Sequence, residues 1–152
     1  MNIYFSAAIR NGALNPQELR ELIKIFKAHG RVVTEVLFDA KDFGARRKVS
    51  EREIFERDMS WIRQADCLIA EVSVPSTGVG IEIQYADCLG LPILCLFNKG
   101  LGNVLSGMVA GHPRVEVVRY TRTSEIKKAV RDFLKRIKNG DSHRALPLRG
   151  KL

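Results

Sequence analysis

Residues 67–72 read Cys-Leu-Ile-Ala-Glu-Val and residues 92–97 read Pro-Ile-Leu-Cys-Leu-Phe. These runs are apolar almost without a break instead of alternating, so strands built from them must be covered on both faces. Residues 3–8 begin a similar run, and residues 31–37 and 114–119 are rich in β-branched side chains and strand-like. Helical periods separate the runs. Over residues 16–29, Leu19, Leu22, Ile23 and Phe26 share one face, with Asn15 as N-cap, Pro16 in the first turn and Gly30 as the stop. Ser50-Glu51-Arg52-Glu53 forms a capping box and opens a helix to about residue 65. Further helices are expected over 79–89, ending at Gly90, and over 124–138. Apolar strands alternating with helices specify a doubly wound α/β fold, a five-stranded parallel sheet with helices on both faces. The chain shows no repeat and no internal linker. Residues 1–138 are expected to form one domain and 139–152 a basic flexible tail, with residues 38–49 a mobile polar loop.

Charge narrows the class of partner. The net charge is +8, yet residues 1–100 hold 13 Lys and Arg against 13 Asp and Glu, and residues 101–152 hold 12 against 4. Much of the excess lies on one helix (Lys127, Lys128, Arg131, Lys135, Arg136, Lys138) and in the tail. That pattern suits a solvated helix face, or a field that draws in small anions. No aromatic residues interleave with the basic ones, which argues against nucleic acid. No run approaches the roughly 18 apolar residues of a membrane helix. The N-terminus reads as a strand, not a signal peptide. Cys67, Cys88 and Cys95 have no metal spacing and are expected as buried free thiols, which points to a reducing cytoplasmic setting. His29, His112 and His143 form no catalytic set, and no metal-binding motif occurs, so neither metal nor cofactor is expected.

A doubly wound sheet binds its ligand at the carboxyl ends of its strands, which directs attention to the loops there. After the first strand comes Ala7-Ala8-Ile9-Arg10-Asn11-Gly12, where Arg10 could hold a phosphate in a forked contact. After the third comes Ser73-Val74-Pro75-Ser76-Thr77-Gly78-Val79-Gly80-Ile81-Glu82. Small residues at a helix start free backbone N–H groups for an anion, and the lone Gly78-x-Gly80 lacks the third glycine of a dinucleotide fingerprint. Glu82, expected in the first helical turn, is either a complement to the helix dipole or a carboxylate aimed at an electrophilic carbon. Asp58, on the preceding helix, supplies a second carboxylate. A pair of carboxylates suits glycosidic cleavage.

In these residues the chain resembles the 2′-deoxynucleoside 5′-phosphate N-hydrolases (the Rcl-like group) of the nucleoside 2-deoxyribosyltransferase-like superfamily. The likeness runs from about Ile3 to Met108. It rests on Tyr4-Phe5, Ile9-Arg10-x-Gly12, Val33-Thr34-Glu35, Asp58-x-x-Trp61-x-x-Gln64-Ala65-Asp66, Ala70-Glu71-Val72, Pro75-Ser76-x-Gly78-Val79-Gly80-x-Glu82, Ile93 to Phe97 and Val104-Leu105-Ser106-x-Met108. The resemblance implies a Rossmann- or flavodoxin-like sheet and a reaction in which Glu82 attacks C1′ of the sugar. A covalent deoxyribosyl phosphate would form, and water would release 2-deoxyribose 5-phosphate. Asp58 would orient the sugar or assist proton transfer, and Tyr4 would position the sugar and Glu82. Arg10, Gly12, Ser76, Gly78 and Gly80 would surround the 5′-phosphate, with Ile9 packing nearby. Ser106 and Met108 would enter the neighbouring subunit's site, which implies a homodimer with shared sites. Two positions depart from the family: Ala8 lacks a phosphate-binding hydroxyl and Val36 stands where the family has His. Both bear on affinity and base preference and leave Glu82 and Asp58 untouched. Alternatives are a ribonucleotide (CMP-type) N-hydrolase, a deoxyribosyltransferase, or a non-catalytic nucleotide-binding protein.

Overall fold

A computed structural model describes residues 1–9, 15–38 and 49–140. Along the chain run β1 (Asn2–Ser6), α1 (Pro16–Lys27), β2 (Arg31–Val32), α2 (Glu51–Arg63), β3 (Cys67–Glu71), α3 (Thr77–Cys88), β4 (Ile93–Asn98), α4 (Gly107–Ala110), β5 (Val115–Tyr120) and α5 (Thr123–Lys138). The five strands are all parallel, in the order β2-β1-β3-β4-β5. This is the doubly wound sheet expected from the unbroken apolar runs, and every residue of β3 and β4 is buried.

Alternation along the strands divides the core in two. Ile3, Phe5, Cys67, Ile69, Leu94 and Leu96 face α1 and α5, where they meet Leu19, Leu22, Phe26, Ile126, Val130 and Phe133. Leu68, Ala70, Ile93 and Cys95 face the other way, onto Met59 and Ile62 of α2 and Val79, Ile83 and Ala86 of α3. The helices begin as their sequences direct. The Asn15 side chain accepts from Gln17 N, and Ser50 and Glu53 complete a reciprocal capping box. Gly90, in the left-handed region at φ 72°, ends α3. Asp87, buried near that end of α3, is paired with Arg114 at the start of β5, and His112 lies 3.7 Å from the same carboxylate.

Three expectations need correction. Residues 31–37 do not form one strand: β2 stops at Val32 and Glu35–Phe38 turn into a 3-10 helix. The cause is Thr34, whose buried Oγ1 accepts from Phe5 N at 3.1 Å and donates to Phe5 O at 2.8 Å. A side chain thereby takes the place of the next backbone rung, freeing the chain to bend and pack Phe38 on Phe5. Gly30 is not a left-handed helix stop, because α1 is capped by Ala28. Glycine is needed there for a close approach: a Cβ would lie 2.5 Å from Met1 O. Finally, Cys67 and Cys95 are buried but Cys88 is exposed on α3. Burial pushes both interior thiols up to about 12, so they stay neutral packing groups. The loop expected at 38–49 and the tail expected at 139–152 lie largely outside the described residues.

Gly30→Ala should cost about 1–3 kcal/mol, the usual penalty for forcing atoms into a packed site. Urea unfolding would show a lower midpoint with an unchanged slope.

Candidate active site

Strand order reverses between β1 and β3, because the chain leaves β1 toward β2 on one side and β3 toward β4 on the other. Sheets of this kind bind their ligands above such a pair, at the carboxyl ends of the strands. Tyr4 and Ser6 are alternate residues of β1 and so point to the same face of the sheet. Both are buried, and both meet the carboxylate of Glu82 on α3. Tyr4 OH donates to Glu82 Oε1 at 2.9 Å, and Ser6 Oγ donates to Glu82 Oε2.

Glu82 sits in the second turn of α3, not the first: Ser76 is the N-cap and no acidic residue occupies the first turn. Helix-dipole complementarity, which fades within one turn, therefore gives no account of its position. Burial pushes the Glu82 carboxyl above the usual carboxylate range, and nearby Asp58 adds to that; the bonds from Ser6 and Tyr4 and the charge of Arg57 work against it. Tyr4 is likewise held well above its ordinary range, by burial first and then by the charges of Glu82 and Asp58. It remains a hydrogen-bond donor at any ordinary pH.

Asp58 belongs to this cluster through α2, and its acceptor oxygen is engaged by a neighbour. Arg57 Nε donates to Asp58 Oδ1 at 2.8 Å, while the Arg57 guanidinium lies over the Trp61 ring, 4.9 Å from its centre. Ser6 and Arg57 were missed in the sequence. The sequence signals open to them are slight: the two-residue spacing of Ser6 from Tyr4, and the place of Arg57 next to Asp58.

The loop before α3 is fixed from beneath. Glu71 accepts from Ser73 N and from the Ser73 hydroxyl, and Tyr120 OH lies 3.4 Å from its Oε1. Ser73 Oγ in turn accepts from Asn98 N, and Ser73 O accepts from Asn103 Nδ2 at 2.8 Å. The ends of β3, β4 and β5 are thus tied together on the face away from Glu82. Burial raises Glu71 too. Beyond this knot, Ser76 caps α3, its Oγ accepting from Val79 N at 3.5 Å. A Cβ on Gly80 would touch nothing, and one on Gly78 only Ser76 Oγ at 3.8 Å. Packing among the described residues therefore does not demand glycine at either position, and these residues leave the helix start open for a ligand to approach its N–H groups.

Of the other expected site residues, Ile9 is partly exposed beyond β1, and Arg10 and Gly12 lie outside the described residues. Ser106 precedes the short helix α4, and its side chain makes no capping hydrogen bond among the described residues. Met108, on that helix, is 85% exposed. Neither forms a hydrogen bond with the Glu82 cluster among the described residues. Ala8 is buried, Val36 is exposed, and the Ser6 hydroxyl is engaged by Glu82, so it does not replace the group missing at Ala8. No cluster of three potential metal ligands occurs among the described residues, and none of their helices is long and apolar enough to cross a membrane.

Residues 3–111 match the model of the nucleoside 2-deoxyribosyltransferase family. The chain belongs to that family. A Syntrophotalea carbinolica protein, provisionally named 2′-deoxynucleoside 5′-phosphate N-hydrolase 1, is 37% identical over 134 residues, covering 88% of this chain and 94% of its own. The mouse 5-hydroxymethyl-dUMP N-hydrolase is 40% identical over 112 residues, covering 72% of this chain and 65% of its own. Among solved structures, the Clostridium botulinum CMP N-glycosidase BcmB superposes with a TM-score of 0.65 at 20% identity, over 88% of this chain and 99% of its own. That last likeness establishes the fold. In this member of the nucleoside 2-deoxyribosyltransferase family, the matched segment takes in β1 from Ile3 onward and α2, β3 and α3 whole, and with them Tyr4, Ser6, Asp58 and Glu82.

Glu71 and Glu82 bind protons more tightly folded than their ordinary value of 4.5. The folded state then holds more protons than the unfolded one above that pH, and stability falls as pH rises through the raised values. Glu82→Gln should therefore gain stability relative to wild type as pH is raised from 4.5 to 8. Urea unfolding at the two pH values would show the gap widening; a constant gap would contradict it.

Proposed function

We propose that this chain hydrolyses the N-glycosidic bond of 2′-deoxynucleoside 5′-monophosphates. The enzyme class, a hydrolase of N-glycosyl compounds, is that of its relatives named N-hydrolases. The observation that carries the reading is Glu82: a half-buried carboxylate, gripped by two hydroxyls, at the point where strand order reverses.

The reaction proceeds in two steps. A Glu82 oxygen attacks C1′ as the C1′–N bond breaks, and the electron pair leaves with the base. The base gains a proton, with Asp58 the side chain suited to steer or supply it. Water then adds at C1′ and gives up a proton, which Asp58 is suited to take back, the ester to Glu82 breaks, and 2-deoxyribose 5-phosphate is released. Donation by Tyr4 and Ser6 favours the ionised carboxylate that the first step requires. The open start of α3 around Ser76, Gly78 and Gly80, with Arg10 and Gly12 of the first loop, suits the 5′-phosphate, and Ile9 packs beside it.

A second copy of the chain completes the site in this reading. Met108 and Val104 are 85% and 88% exposed, and Phe55 and Ile81 present more apolar surface on α2 and α3. Burying such side chains against a partner is favourable. It would bring Ser106 and Met108 to the partner's crevice, giving a homodimer with shared sites. The working compartment is taken as the cytoplasm, where the free thiols are stable.

Base release followed by chromatography tests the assignment. Deoxynucleoside monophosphates should lose their base, while ribonucleotides and unphosphorylated nucleosides should not. Glu82→Ala should lower the rate by about three orders of magnitude or more, and Asp58→Asn by about 10²–10⁴-fold. Full activity in Glu82→Ala would sink the proposal, and release from CMP alone would move it to the ribonucleotide class. Sedimentation should give twice the chain mass, and a stable active monomer would rule out shared sites.

A further inference from the structure

A carboxylate held through one oxygen can still swing about its last torsion, which is broad and roughly two-fold. Glu82 is held through both. Tyr4 OH takes Oε1 and Ser6 Oγ takes Oε2, from two positions about 6.6 Å apart along one strand. Ser6 is 3% exposed, and its partner is a residue 76 positions away in sequence. A second grip from the same rigid strand fixes the carboxylate plane, and with it the direction in which an oxygen lone pair points. We propose that Ser6 is a positioning residue for the reaction, holding the Glu82 carboxylate in the orientation from which it attacks C1′. This rests on Glu82 being the nucleophile.

The electrostatics point the same way. Among the described residues, the titratable and charged groups that face Glu82 are Tyr4 on β1 and Asp58 and Arg57 on α2. Burial and Asp58 oppose its ionisation, while the Ser6 and Tyr4 bonds and Arg57 favour it. Hydrogen bonds to an ionised acceptor are stronger than those between neutral groups. Loss of the Ser6 hydroxyl therefore both frees the carboxylate and makes it easier to protonate. The strand holds Tyr4 in place whether or not Ser6 is present, so the two contributions are separable.

Ser6→Ala and Ser6→Cys, with kcat and KM measured against a deoxynucleoside monophosphate across pH, test the proposal. Ser6→Ala should lower kcat about 10- to 100-fold, the loss expected for one hydrogen bond to a charged group, with KM little changed. The acidic limb of its pH profile should move to higher pH. Ser6→Cys, whose thiol is a weak donor, should fall between. In parallel, ¹³C carboxyl titration of Glu82 should move upward in Ser6→Ala, whether or not any substrate is turned over. An unmoved Glu82 titration overturns the proposal, as does a change confined to KM. So does a lowered Tm with kcat and acidic limb intact, which marks Ser6 as packing only. Wild-type activity that survives Glu82→Ala instead defeats the nucleophile assignment, and is read separately from the Ser6 variants.

Discussion

The pairing of β1 with β3 is the constraint on which the rest depends. Ile3 lies against Cys67, Tyr4 against Leu68, Phe5 against Ile69 and Ser6 against Ala70. These two strands are central in the sheet, and the chain departs from them in opposite directions. One register thus does two things: it seats two apolar faces in two separate cores, and it sets the carboxyl ends of both strands at the point where strand order reverses. A slip by one residue would turn Tyr4 and Ser6 into the core of α1 and α5 and bring Phe5 to the crevice. The apolar packing that forbids the slip is therefore also what aims the polar side chains.

Within the crevice the governing conflict is between burial and charge. Taking a carboxylate out of water disfavours its ionised form, and only specific donors reverse that. Around Glu82 the donors are two neutral hydroxyls on a rigid strand, with the Arg57 cation farther off and tied to Asp58 and Trp61. Neutral donors stabilise the anion without cancelling its charge, so its lone pairs remain available to an electrophile. Glu71 shows the contrasting solution on the opposite face. There the carboxylate is enclosed by Ser73 and Tyr120, with the Ser73 hydroxyl passing the network on to Asn98, and it binds the strand ends together.

Much of the architecture was legible because it follows from local patterns. Unbroken apolar runs gave the parallel strands, and Asn15 and the Ser50–Glu53 pair marked helix starts that the structure reproduces. The features that were not legible are those in which one side chain answers a distant backbone or carboxylate. Thr34 shortens β2 by bonding Phe5, 29 residues away. Gly30 is required by the carbonyl of Met1, and its place after a helix suggested a different reason. Ser6 appears as one more small residue in a strand until α3 is set above it. Glu82 itself stood out, although its true place in the second turn needed the structure to fix where α3 begins.

The threonine that ends β2 has a consequence for how the molecule behaves in a crowd. A parallel sheet of five strands has two open margins, each a row of unpaired N–H and C=O groups able to recruit a strand from another molecule. On one margin only two residues, Arg31 and Val32, are in strand form, and just past them the Thr34 hydroxyl occupies both peptide groups of Phe5 that a foreign strand would need. On the other, β5 carries the charged Glu116 and Arg119 on exposed positions, with Glu116 paired to Arg136 of α5. Among the described residues both margins are therefore poor templates for strand addition, and the core strands are guarded against fibril-like growth by the edges themselves.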